Sequence, residues 1–122
     1  MASQQVNFDV DQGSDFRFDV ELLDINNDPI DLTNVLIVGQ IRKTASSKNI
    51  EAEFSIDPTD LVKGQFAIIL PASVTSQLKC DPSHSAYRTM TLFSYDVEIH
   101  YPTGQISRIL QGVLSVSPEV TR

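Results

Sequence analysis

Few residues of this chain are of types that do chemistry, and their spacing limits what they can do. Cys80 is the only cysteine, and it stands four residues before His84 in the stretch KCDPSHS. A cysteine nucleophile needs a base brought against it and a third group to orient that base, which a short polar loop does not supply. Cys80 therefore reads as a plain loop cysteine. One cysteine also rules out an intrachain disulfide and a cysteine zinc site. With only His84 and His100 a histidine-rich metal centre cannot be built. His100 falls on the polar side of an alternating run and reads as solvated. The carboxylate pairs Asp9/Asp11 and Asp96/Glu98 sit two residues apart, on one face of a strand. Paired acids can cleave glycosidic bonds, but only in a cleft that raises one pKa. Here the acids alternate with apolar residues, as on a solvated sheet face. The chain reads as non-enzymatic, with no catalytic residue, no cofactor and no bound metal.

The Asp-rich stretch VDQGSDFRFDV (10–20) is the sharpest test of that reading. As a calcium loop it fails on spacing, because counting from Asp9 the fifth ligand position falls on Gly13. As a phosphate loop it lacks the following lysine and helix. A glycine flanked by short polar side chains, between two alternating runs, reads instead as a corner between strands.

The elements around these residues are almost all extended. Val6, Phe8 and Val10 alternate with polar residues, as do Phe16, Phe18, Val20 and Leu22. VLIVGQIRK (35–43), AEFSI (52–56), QFAIIL (65–70), FSYDVEIHY (93–101) and QISRILQGVLSVS (105–117) complete the runs. INNDP (25–29), DPTD (57–60) and PTG (102–104) carry turn chemistry. PTG sets residues 93–101 and 105–117 as an antiparallel pair. PASVTSQLK (71–79) is the one helical candidate, opened by Pro71. Gly112 reads as a bulge or a close backbone approach. The fold class is all-β: an immunoglobulin-like antiparallel β-sandwich of about seven strands with one short helix. A closed barrel is the competing arrangement. The expected core is Phe16, Phe18, Leu36, Val38, Phe54, Phe66, Ile68, Tyr95, Val97 and Leu110.

At 122 residues, residues 1–122 form a single domain with extended termini, and 41% hydrophobic residues suffice for one core. The net charge of −7 and a pI near 4.5 argue against nucleic acid, whose phosphates call for clustered Lys and Arg. No run approaches the roughly 18 apolar residues of a membrane span. MASQQVNFDVDQ lacks the basic and apolar regions of a secretory signal, so synthesis in the cytoplasm is expected.

Function must then lie on the surface. CDPSHSAYRTM (80–90) is the longest irregular stretch, and loops of that length are uncommon unless functional or mobile. Tyr and Arg are favoured contact residues, which makes His84, Tyr87 and Arg88 candidate partner contacts. SVSPEVTR (115–122) leaves the last strand through Pro118, which removes a backbone donor. Val120 and Arg122 are then placed to meet a partner.

Four features together resemble a family of small tailed-phage virion proteins. They are FDVDQGSDFRFDVELLDINNDPIDLT (8–33), GQIRK (39–43), YDVEIHYPTGQISRILQGVLSVSPEVTR (95–122) and the signal-free start. Asp24, Pro29, Ile30, Asp31, Leu32 and Thr33 match the family's turn, and Gln40, Ile41 and Arg42 its strand. Tyr95, Asp96, Val97, Gly104, Leu110, Gly112, Val116, Pro118, Val120, Thr121 and Arg122 match its closing hairpin. The nearest named relative is the N-terminal β-sandwich module of phage baseplate upper proteins. The resemblance implies a virion structural protein without an active site. It would be a tail, baseplate or neck adaptor, or else a capsid decoration protein, joined to other phage structural proteins in a symmetric multi-copy assembly. The reading from a different class is a soluble calcium- or glycan-binding β-module that uses the Asp-rich turns at 9–15 and 24–31.

Overall fold

The computed structural model describes residues 4–78 and 91–118. In chain order the strands are β1 (Gln4–Gln5), β2 (Phe8–Asp11), β3 (Phe16–Glu21), β4 (Leu36–Arg42), β5 (Ala52–Glu53), β6 (Ser55–Asp60), β7 (Gln65–Leu70), β8 (Thr91–His100) and β9 (Ile106–Ser117). A 3-10 turn at Leu61–Lys63 and a single helical turn α1 (Ala72–Thr75) complete the elements. One sheet runs β1-β9-β8-β4-β5, with β2 also on β9; the other runs β3-β7-β6. Two open sheets facing across a core make an all-β sandwich rather than a closed barrel.

Alternation dictates the inner faces. Phe93, Tyr95, Val97 and Ile99 of β8 are buried, and so are Phe66, Ile68 and Leu70 of β7. Phe8 is the aromatic hinge of the core, with ring centroids 5.1 Å from Phe16, 4.7 Å from Phe18 and 5.2 Å from Tyr95. Such tilted and edge-on pairs add about 0.5–1.5 kcal/mol each beyond their burial.

Six of the ten expected core residues are buried: Phe54, Phe66, Ile68, Tyr95, Val97 and Leu110. Phe16 and Phe18 are only partly buried, because β3 is an edge strand. Leu36 and Val38 belong to the opposite face. On β4 it is Gly39 and Ile41 that turn inward, leaving Leu36 63% exposed. A run apolar on both phases does not declare which phase faces the core.

Three local features also depart from expectation. DPTD is not a reversal: it lies within β6, where the pairing with β7 slips between Asp57 and Asp60, and Pro58 is tolerated at that irregular edge. The chain reverses just after, through the 3-10 turn and Gly64. The run 52–56 is split, β5 pairing with β4 and β6 with β7, so the chain changes sheets at buried Phe54. The helix is one turn, shorter than 71–79.

Not every pairing is antiparallel. β1 and β2 run parallel to β9, with Gln4 opposite Leu110 and Phe8 opposite Leu114. Gly112 makes this possible, since a Cβ there would collide with the Val6 carbonyl oxygen. It is a close approach. The bulge lies nearby, between Val97/Leu110 and Glu98/Arg108, and it lets Ile109 and Leu110 both be buried.

Candidate functional site

The sheet corner at 11–15 is the first place where the acids could have done chemistry, and its groups are used locally. Gly13 has φ 85°, and its N–H donates to Thr75 Oγ1 at 3.1 Å. The Thr75 hydroxyl in turn donates to the Ser14 carbonyl at 2.8 Å. Asp15 accepts the Ala72 N–H at 2.7 Å, satisfying a free donor at the start of α1. In the 24–29 turn, Asp24 Oδ1 accepts the N–H groups of Asn26 and Asp28 at 2.8 and 3.0 Å. Among the described residues no group of three His, Cys, Asp or Glu side chains could hold a metal ion. The first loop is thus tied to α1 and the second to its own backbone.

The surface that offers more is the outer face of the larger sheet. The register of β4, β8 and β9 sets its rows. Leu36, His100 and Ile106 lie side by side; next come Val38, Glu98 and Arg108, then Gln40, Asp96 and Gln111, then Arg42, Ser94 and Val113. Beyond them lies Leu92, opposite Ser115. Leu36 and Ile106 at one end are 63% and 55% exposed, and Leu92 at the other is 61% exposed.

Between these aliphatic ends the side chains hold one another. Arg108 Nε lies 3.4 Å from Asp96 Oδ2, and its NH1 donates to Gln111 Oε1 at 3.3 Å. Arg42 donates to Gln40 Oε1 at 2.8 Å and to the Ser47 carbonyl at 2.7 Å. His100 Nε2 lies 3.3 Å from Glu98 Oε1. Burial raises the Asp96 carboxyl above the usual carboxylate range, and neighbouring Glu98 adds to this, while Arg108 and Arg42 pull it back. The depression bounded by Gln40, Arg42, Ala45, Asp96, Arg108 and Gln111 holds about 90 Å3. Small-molecule sites run to about 300–1,000 Å3. This face fits a flat macromolecular surface better than a small substrate.

Alternation predicts Asp96, Glu98 and His100 together on one polar face, and they are there. Leu36, expected in the core, instead gives the same face an apolar end. The rule that could have found it is register: Leu36 belongs to whichever face its cross-strand neighbour His100 occupies. The contact residues expected from sequence, His84, Tyr87, Arg88, Val120 and Arg122, lie outside the described residues. Pro118 is described, and the β9 ladder stops just before it.

Taken together, the two facing sheets and the strand order define an immunoglobulin-like β-sandwich. Among solved structures, the chain superposes on the periplasmic chaperone SfaE with a TM-score of 0.51 and 17% identity, over 93% of this chain and 54% of that one. It thus spans about half the length of that chaperone. Tim-1 aligns over 99% of both chains at 10% identity, with a TM-score of 0.44. At 17% identity the likeness to the chaperone is one of fold. Neither a protein-family model nor a curated protein sequence matches the chain.

Proposed function

We propose that the chain is a structural component of a tailed-phage virion, a tail, baseplate or neck adaptor that joins other virion proteins by surface contact and not by catalysis. The carrying observation is the outer face of the larger sheet. Exposed Leu36, Ile106 and Leu92 flank a polar centre already internally paired, and the depression on that face is too small for a small substrate. Exposed aliphatic residues around a satisfied polar patch can be buried by a partner without stranding a charge. The ordered motifs of 8–33, 39–43 and 95–122 supply the virion part of the reading. A capsid decoration role would use the same face. The calcium- or glycan-binding alternative is weaker, because Asp15 and Asp24 would have to surrender backbone hydrogen bonds to bind a ligand.

The test is copurification. Particles released from cells that carry the gene are banded on a density gradient and counted by quantitative mass spectrometry. The chain should appear at a fixed ratio to the major structural protein, and Leu36→Arg/Ile106→Arg should be lost from particles while remaining folded. Recovery of the wild-type chain only in the unsedimented fraction would overturn the virion reading.

A further inference from the structure

Most sheet edges in this sandwich are blunted. β6 carries Pro58 and a register slip, β5 is two residues long, and the β1–β2 edge is broken at Val6 and Asn7. The β3 edge is different. Phe16–Glu21 is six residues of regular strand without proline or glycine, and its pairing with β7 runs without a slip.

The hydrogen-bond phase says what that edge presents. The Leu22 N–H donates to the Gly64 carbonyl at 2.9 Å, so Leu22 and its even-numbered neighbours on β3 bond toward β7. Antiparallel pairing alternates, so the N–H and C=O groups of Arg17, Asp19 and Glu21 point away, to the open side. Among the described residues these backbone groups have no partner. A cleft of about 500 Å3 opens beneath this edge, walled by Phe18, Val20, Leu22, Val6 and Leu110. An unpaired, regular edge beside partly buried aromatic rings is a template for another strand.

We propose that the occupant is β3 of a second copy of this chain, paired antiparallel about a two-fold axis that passes beside Phe18. Two registers satisfy the hydrogen-bond phase over most of the strand. With the axis at Asp19, Arg17 would face Glu21, but Asp19 would meet itself at the centre of the interface, and like charges directly opposite are destabilising. With the axis at Phe18, Arg17 of each copy lies opposite Asp19 of the other, and all four central backbone bonds form. On the inner face Phe18 meets Phe18, and Phe16 meets Val20, so every cross-strand pair there is apolar. The cost is at the ends, where Glu21 falls opposite Asp15, whose carboxylate is already turned to the Ala72 N–H. Arg17 now holds Asp19 at 3.1 Å and Asp57 at 3.0 Å with its side chain still 45% exposed, so the guanidinium retains donors for the second copy. The two three-stranded sheets become one of six strands. This surface is separate from the outer face of the larger sheet and does not rest on the virion reading.

A charge swap tests it. The full chain is followed by sedimentation equilibrium, with thermal melts to show that each variant is folded. Wild type should be a dimer that dissociates on dilution. Arg17→Asp or Asp19→Arg alone should weaken it at least about tenfold, since each places like charges opposite. Arg17→Asp/Asp19→Arg together should restore the dimer, because the opposite-charge pairs re-form with their signs exchanged. Should a single variant fail to fold, amide exchange on wild type decides: the Arg17, Asp19 and Glu21 amides should become protected as concentration rises. A wild-type monomer at all concentrations, a dimer indifferent to the single changes, a failed restoration, or edge amides that exchange freely in the dimer would each overturn the proposal.

Discussion

Strand β8 has two faces that obey different rules. Inward it places Phe93, Tyr95, Val97 and Ile99 against the opposite sheet, all buried. Outward it places Ser94, Asp96, Glu98 and His100, each half-buried, with Asp96 paired to Arg108 on β9 and Glu98 to His100 on β8 itself. The inner face gains by excluding water, so each atom lost there leaves a void. The outer face gains little from any single pair, because exposed ion pairs are worth about 0–1 kcal/mol. Stability is therefore concentrated on one side of the strand, while the other side is free to be shaped for recognition.

That contrast can be broken in a definite order. The largest effect belongs to the inner face: Phe66→Ala, at a fully buried position, should cost about 3–5 kcal/mol in urea unfolding. A loss under about 1 kcal/mol would show that the core tolerates collapse there. Next is Gly112→Ala, where the new methyl meets the Val6 carbonyl oxygen and must push β1 off β9. A loss of about 1–3 kcal/mol is expected, and faster exchange of the Val6 amide, which now donates to the Gln111 carbonyl, should accompany it.

Tyr95→Phe is smaller and bridges the two faces. The ring is buried, while its hydroxyl donates to the Val6 carbonyl at 2.6 Å. Losing that bond should cost about 1 kcal/mol. Burial pushes the phenol up to about 12. A raised folded-state pKa means that the unfolded chain releases its proton first, so this contribution is intact below pH 10 and is lost as the pH rises toward 12. Unfolding across that window should be less steep in Tyr95→Phe than in wild type.

The smallest effect is Asp96→Asn, on the outer face, expected within about 0.5 kcal/mol at neutral pH. The Asp96 pKa is also raised, so its contribution falls as the pH climbs through the carboxylate range. The variant should flatten that part of the stability profile. A large loss at neutral pH would instead make the polar network a structural element equal to the core.

The fold was readable where one physical rule acted alone. FSYDVEIHY alternates cleanly because β8 is apolar on one face and polar on the other, and Tyr95 and Val97 were placed correctly in the core. PTG could be read as a hairpin turn, and Gly112 as a bulge or a close approach, of which the structure shows the second, because few residues other than glycine suit those positions. Where two rules competed, pattern was not enough. VLIVGQIRK is apolar on both phases, so only the pairing with β8 shows that Ile41 faces in and Leu36 faces out. DPTD has turn composition yet lies on an edge strand, where irregular pairing is tolerated. The candidate face was half legible: its polar row followed from alternation, but the addition of β4, distant in sequence, to the β8–β9 hairpin depends on register, which local composition does not encode.

The parallel seam between the first and last strands has a consequence for how the chain is made. Asn7 Oδ1 accepts the Val113 N–H from 106 residues away, so β2 emerges from the ribosome long before the strand it must join exists. Closing so long a loop is slow, and contacts of that separation form late in folding. Until β9 is synthesised, β8 has an open flank and the Phe8 ring has no floor, leaving the growing chain exposed to off-pathway association. Strand β9 is thus the segment that locks β2 in place, which makes its emergence the commitment step of folding.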